Sequence, residues 1–222
     1  MLDDDKDRAA AAALDEVRAG MIVGLGTGTT AAFFIARLAA KVRDGLEITA
    51  VATSLATEHA ARAAGIPIVP FDDVATVDLA VDGVDEIDLN MRAIKGAGGA
   101  MLREKIVASA ARRMIAIADR SKWTRAIGAK PVPVEVLPFA RTFVLAELHA
   151  LGAEPVLRLK DRQPALSDQH NLIIDCAFAT LPDPAALAAI PGVLGHGLFV
   201  TEIDTAYIAD NGVVTRHDRP AG

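Results

Sequence analysis

The sequence predicts an α/β fold: an open, mainly parallel sheet with helices on both faces, joined to a smaller α+β domain. Three observations carry that expectation. The short apolar runs Met21–Val23, Val77–Val81 and Met114–Ala118 have the length and composition of buried strands, and each empties into a glycine-rich or polar loop. Segments of helical spacing lie between them, and alternation at this interval implies βαβ units. The rhythm then breaks at Pro131-Val-Pro-Val-Glu-Val-Leu-Pro138, which marks a boundary near residue 128.

Taken in order, an alanine-rich helix is expected over about Lys6 to Ala19. The run Met21–Val23 leads through Gly24-Leu-Gly26-Thr27-Gly28-Thr29-Thr30 into a helix from about Thr30 to Val42. There Phe34, Ile35, Leu38 and Val42 recur with 3.6-residue spacing. Val51-Ala52 runs into the loop Thr53–Thr57, Val77–Val81 into Asp82, and Met114–Ala118 into Asp119 and Lys122, with a helix beginning near Ala100. Beyond the boundary come a helix over about Arg141 to Leu151, strands at Pro155–Leu159 and Leu172–Cys176, and a helix near Pro184–Ala189. These make a small α+β domain of residues 128–199. The runs Gly195–Val200 and Thr205–Ala209 are expected to return to the first, Rossmann-like domain of residues 1–127 and 200–222. No internal repeat is evident.

The densest chemistry lies between Asp82 and Lys105. Asp82 and Asp85 follow an apolar strand, where an open α/β sheet usually places its reactive groups. Lys95-Gly-Ala-Gly-Gly-Ala is a turn whose exposed backbone N–H groups suit an anion, and it opens into a helix carrying Glu104 in its first turns. Acids, a cation and oxyanion donors converge from one stretch, the inventory of proton transfer on a small anionic substrate. Taken singly, the aspartates could cap helices and Glu104-Lys105 could be a solvated face. The upstream loop Gly24–Thr30 tips the balance. It is not a dinucleotide fingerprint, since Thr29 stands where the third glycine belongs and no acid ends the next strand. Neither is it a P-loop, since no Lys-Ser or Lys-Thr follows its last glycine. It suits one phosphate monoester.

The loops Gly24–Thr30, Thr53–Thr57 and Asp82–Asp88, with Lys95–Gly99 and Ala118-Asp119-Arg-Ser121-Lys122, together resemble the A-type ribose-5-phosphate isomerases over essentially the whole chain. The most specific motifs are Asp82-Gly-x-Asp85-Glu86 and Lys95-Gly-x-Gly-Gly-Ala-x-x-Arg103-Glu104-Lys105. The resemblance implies interconversion of ribose 5-phosphate and ribulose 5-phosphate without metal or organic cofactor. It implies Glu104 as the base moving a proton between C2 and C1, Asp82 and Asp85 beside the sugar hydroxyls, and Lys95 facing the enediolate. For substrate binding it implies Thr27, Gly28, Thr29 and Thr30, then Gly83 and Val84 between the aspartates, Gly96, Ala97 and Gly98 after Lys95, with Lys122 and, at the phosphate, Lys6. Three departures stand out. Ala97 occupies a position where glycine is common, tolerable if φ there is ordinary; Ser167-Asp168-Gln169-His170-Asn171 lacks the glycine of an Asp-Asn-Gly turn; and the ending from Thr201 is unusually polar.

Composition excludes other classes. The chain of 222 residues can bury a substantial core, and its formal charge of −6 without any Lys/Arg-rich stripe argues against nucleic acid. No apolar run could span a bilayer, and the acidic start Met1-Leu-Asp-Asp-Asp does not read as a signal peptide, so a cytoplasmic enzyme is expected. Cys176 reads as a buried free thiol, and His59, His149, His170, His196 and His217 have no ligand spacing. Composition and resemblance suggest a homodimer or dimer of dimers. Two other readings remain: a non-catalytic sugar-phosphate sensor on the same scaffold, which would not need Glu104 beside Lys95, and an acyl- or CoA-transferase-like enzyme, for which the chain is short.

Overall fold

A computed structural model describes residues 2–220. Helix α1 (Leu2–Leu14) starts earlier than expected because Asp3, Asp4 and Asp5 sit in its first turn, where negative charge complements the helix dipole. It also stops earlier, at Leu14 rather than Ala19. The Arg18 side chain donates to the carbonyls of Asp15 and Val17, and Gly20 turns the chain at φ 82°. Strand β1 (Ile22–Leu25), helix α2 (Thr29–Arg43) and strand β2 (Thr49–Ala52) follow. Helix α3 (Leu55–Ala63) begins at Ser54, whose side chain caps it by accepting from Thr57 N at 3.0 Å. Strand β3 (Leu79–Gly83) contains Asp82 itself, the short strand β4 (Glu86–Asp88) occupies what the sequence suggested was loop, and the short strand β5 (Ala93–Ile94) follows. Helix α4 (Met101–Ala110), strand β6 (Met114–Asp119) and strand β7 (Trp123–Thr124) complete this half.

Next come β8 (Val132–Val136), α5 (Arg141–Ala150), β9 (Ala153–Leu157), β10 (Leu159–Lys160), β11 (Gln163–Pro164), β12 (Leu172–Phe178) and α6 (Pro184–Ala188). The chain ends with β13 (Val193–His196), β14 (Leu198–Phe199), β15 (Thr205–Asp210) and β16 (Val213–Asp218). The proline-rich stretch is therefore a strand. Val132, Val134 and Val136 alternate with period two and are all fully buried, a stronger constraint than the prolines between and beside them.

The central sheet has the order β16-β15-β6-β3-β1-β2, parallel throughout except for the antiparallel edge pair β15–β16. Alternation along its strands feeds two cores. Leu79, Val81, Ile115 and Ile117 pack with Ala10 of α1 and Phe34 and Leu38 of α2, while Ala80, Met114 and Ala116 pack with Val107 and Ala108 of α4. Helices thus cover both faces, as an α/β fold with a mainly parallel sheet requires. A second, antiparallel sheet of order β13-β8-β12-β9 has its own core with α5 and α6, and a third sheet, β14-β5-β4-β7, lies between. Of the run expected to return to the first domain, Gly195 and His196 stay in the second sheet and only Leu198–Phe199 leaves it, pairing with Ala93–Ile94. The Thr205–Ala209 run does join the central sheet, and its partner β16 escaped the sequence reading because Val213–Asp218 is mostly exposed and polar. Cys176 is fully buried, and burial, with a lesser push from Asp175, raises its thiol to about 12. No helix among the described residues is long and apolar enough to cross a membrane.

Candidate active site

Parallel strands β1 and β3 deliver their C-terminal ends side by side, and the groups that follow them meet in a cleft of about 230 Å³. Every residue that the resemblance assigns to catalysis or substrate binding, except Asp82, lines it. Lys6, Lys122 and the turn Thr27–Thr30 form part of the lining; Gly83, Val84 and Asp85 form another; Lys95, Gly96, Ala97, Gly98 and Glu104 form the third. Asp82 lies immediately behind, joined to the cleft through Lys95. A larger cavity of about 420 Å³, between α3 and α4, is mostly apolar and holds none of the proposed catalytic groups.

The Lys95 ammonium is the hub. It stands 2.9 Å from Asp82 Oδ2 and 3.5 Å from Glu104 Oε2, and it donates to the Gly83 carbonyl. Asp82, Lys95 and Glu104 are all buried, between 2% and 4% exposed. Asp82 Oδ1 also accepts from Thr27 N at 3.0 Å and Gly83 N at 2.7 Å. This packing needs Gly26, where any side chain would collide with the Asp82 carboxylate. Asp85 Oδ2 accepts from Ala97 N at 2.9 Å, tying the acidic loop to the glycine turn. Ala97 has no positive φ, so alanine is unstrained there, while Gly96 and Gly99 take φ 102° and 81° on either side.

Three negative groups around one ammonium cannot all ionise freely. Burial pushes Glu104 up to about 8; Lys95 opposes the shift, and Asp82 and Asp85 reinforce it. Burial likewise raises Asp82 against the pull of Lys95 and the two backbone N–H groups. Burial disfavours the charge on Lys95, but Asp82, Glu104 and Asp85 outweigh it and hold the ammonium charged. The result is a base that gains its proton readily near neutrality, beside a fixed cation.

At the other end of the cleft, α2 starts at Gly28 without a side-chain cap, so its first-turn N–H groups remain for an anion. Thr29 and Thr30 sit there, with Lys6 and Lys122 adding positive charge. Lys6 is anchored by Asp3 at 2.9 Å. Lys122 follows a turn in which Asp119 accepts from Ser121 N. Among the described residues no group of three or more His, Cys, Asp or Glu side chains is placed to hold a metal ion.

Two supporting groups had no role assigned to them from the sequence. Phe199, fully buried, lies with its ring centroid 5.7 Å from Lys95 Nζ and 4.0 Å from Lys105 Nζ, and Lys105 is held by Glu202 at 2.7 Å. Ser54 and Thr57 form the second group, detectable only as a Ser-x-x-Thr cap after a strand.

Comparison with known proteins identifies the family to which the chain is similar. Residues 49–212 match the family described as ribose 5-phosphate isomerase A (phosphoriboisomerase A). The chain is 53% identical over 218 residues to the ribose-5-phosphate isomerase A of Sphingopyxis alaskensis, covering 96% of each. Among solved structures it is similar to a D-ribose-5-phosphate isomerase in complex with phospho-erythronic acid, at TM-score 0.94 and 35% identity, over 99% of this chain and 100% of that one. It is equally similar in fold to the ribose 5-phosphate isomerase of Plasmodium falciparum, at TM-score 0.94 and 33% identity over the same shares.

Proposed function

The chain belongs to the ribose-5-phosphate isomerase A family and interconverts D-ribose 5-phosphate and D-ribulose 5-phosphate; we propose that Glu104, Lys95, Asp82 and Asp85 carry the reaction. One observation supports this assignment most. A carboxylate lifted to about 8 faces a buried ammonium in a cleft whose far end is built for a phosphate. In the open-chain aldose, Glu104 takes the proton from C2 and returns it to C1. Between the two transfers the negative charge lies on O1 and O2, where the Lys95 ammonium stabilises it. Asp85, on the cleft wall, suits the accompanying proton movement between the two oxygens and ring opening. Asp82, locked by two N–H groups and Lys95, holds the ammonium in place. The phosphate, held by Thr29, Thr30, the α2 N-terminus, Lys6 and Lys122, contributes binding energy remote from the reacting carbons and orients them.

A sugar-phosphate sensor would have no use for the raised base, and a cleft of about 230 Å³ is too small for an acyl carrier. The proposal extends to a homodimer or dimer of dimers in the cytoplasm, and to a catalytic domain of 1–127 and 200–222 beside a smaller one at 128–199. Support for the smaller domain is the sheet drawn wholly from residues 132–196 with its own core. A coupled assay for ribulose 5-phosphate formation by the purified chain tests the activity, and its loss on Glu104→Gln tests the assignment.

A further inference from the structure

Thr27 is held from behind by hydroxyls. Its Oγ1 donates to Ser54 Oγ at 2.9 Å, Ser54 Oγ donates to Thr57 Oγ1 at 3.0 Å, and Thr57 Oγ1 donates to the Gly26 carbonyl at 2.9 Å. Thr53 Oγ1 lies 2.8 Å from Thr27 Oγ1 and donates to the Leu25 carbonyl at 3.0 Å. The relay begins and ends on the phosphate loop, so the first turn of α3 clamps that loop. The hydroxyl of Thr27 is committed to this relay and its N–H to Asp82, which makes Thr27 a fixed point between the phosphate turn and the catalytic carboxylate.

The start of α3 is in turn held from the second sheet. Leu55 N, at the first position of the helix, donates to Asp168 Oδ2 at 2.7 Å, across 113 residues of sequence. Asp168 lies in the turn Ser167–Asn171, which is anchored on β8. The fully buried Glu135 accepts from Ser167 Oγ at 2.6 Å and Asn171 Nδ2 at 2.9 Å. Hydrogen bonds linked through the adjacent pairs Ser167–Asp168 and Ser54–Leu55 therefore connect Glu135 to Thr27 and Asp82.

We propose that Asp168 is a positioning residue for the phosphate loop: by capping α3 from the second sheet, it holds the hydroxyl relay that fixes Thr27. This rests on the reading of the cleft as a phosphate site. Without the cap the first turn of α3 frays, the loop spends less time in its binding geometry, and affinity drops by that fraction. The proton-transfer groups stand on β3, in the loop that follows it, just past the end of β5 and on α4, so turnover of bound substrate is little affected.

The test compares Asp168→Ala, Asp168→Asn and Thr57→Val by steady-state kinetics and by calorimetric binding of inorganic phosphate. Asp168→Ala should raise both KM and the phosphate dissociation constant by about 3- to 10-fold, the usual worth of a helix cap, with kcat within about twofold. Asp168→Asn keeps an acceptor oxygen and should stay within about twofold of wild type on all three. Thr57→Val, which breaks the relay without changing shape, should repeat the alanine pattern. An Asp168→Ala protein with lowered melting temperature but unchanged KM and phosphate affinity overturns the proposal, as does a loss confined to kcat. If wild-type protein binds no phosphate, it is the cleft reading that fails instead.

Discussion

The Lys95 ammonium lies 3.5 Å from the Glu104 carboxylate with both groups almost wholly sealed from water. A base this close to a fixed cation can shed its proton onto carbon while the charge left on oxygen stays compensated. Glu104→Gln preserves shape and hydrogen bonding but accepts no proton, so turnover should fall by about 10² to 10⁴ with KM changed much less. Exchange of the C2 hydrogen with deuterated solvent should vanish in parallel. Near-normal exchange in that variant would move the base to Asp82 or Asp85.

Activity should depend on pH through the same group. With Glu104 titrating at about 8, its ionised fraction falls roughly tenfold per pH unit below that value. The kcat/KM for ribose 5-phosphate should therefore climb from pH 6 and level off near pH 8 to 9. A flat profile across that range is incompatible with Glu104 as the base.

The raised carboxylate also costs stability. Glu104 titrates at about 8 in the folded chain against an ordinary value of 4.5, so between these limits the folded state binds more protons than the unfolded one. Stability from this group is complete below 4.5 and is lost as pH rises to about 8. Glu104→Gln escapes that loss. At pH 8 it should be more stable than wild type by about 1 kcal/mol or more, roughly 2–4 °C in melting temperature, and the difference should shrink toward pH 5. Urea unfolding at the two pH values measures it.

Phosphate contacts should act chiefly on affinity. Removing the Lys6 charge or the Thr30 hydroxyl by alanine substitution deletes a charge-assisted contact, which corresponds to about a 10- to 100-fold loss in kcat/KM. Most of it should appear in KM, with some in kcat because phosphate binding orients the carbons. Unphosphorylated ribose should be a very poor substrate; comparable turnover of ribose would contradict the assignment of Thr29, Thr30 and Lys6.

The sequence was most informative where chemistry and local pattern coincide. Lys95, Glu104 and the two aspartates come from one short stretch, so their convergence needed only a strand, a turn and a helix in series. Elements were legible where an apolar period was unmixed, as in Phe34, Ile35 and Leu38 of α2. Strand β8 was obscured by Pro131, Pro133 and Pro138, whose breaker signal competes with the alternation of three valines. The short strands β4, β5, β7 and β14 exist only through pairing with one another. Asp168 was invisible as a functional residue because its partner, Leu55, is 113 residues away and is contacted through backbone, which leaves no side-chain signal.

The turn that carries Asp168 supplies the last prediction. His170 sits at φ 61°, a left-handed conformation that a side chain disfavours and glycine accepts freely. The turn keeps its shape because Glu135 holds Ser167 and Asn171, and His170 N donates to the Ser167 carbonyl at 2.9 Å, so the surroundings impose the strain. His170→Gly should therefore relieve it and stabilise the protein by about 0.5–1 kcal/mol, the conformational gain being partly offset by a freer unfolded chain. His170 is exposed, so little packing is lost. KM should not move, because Asp168 keeps its place against Leu55. Urea denaturation checks the first point and steady-state kinetics the second; a destabilised His170→Gly protein would show that the imidazole contributes more than its backbone conformation costs.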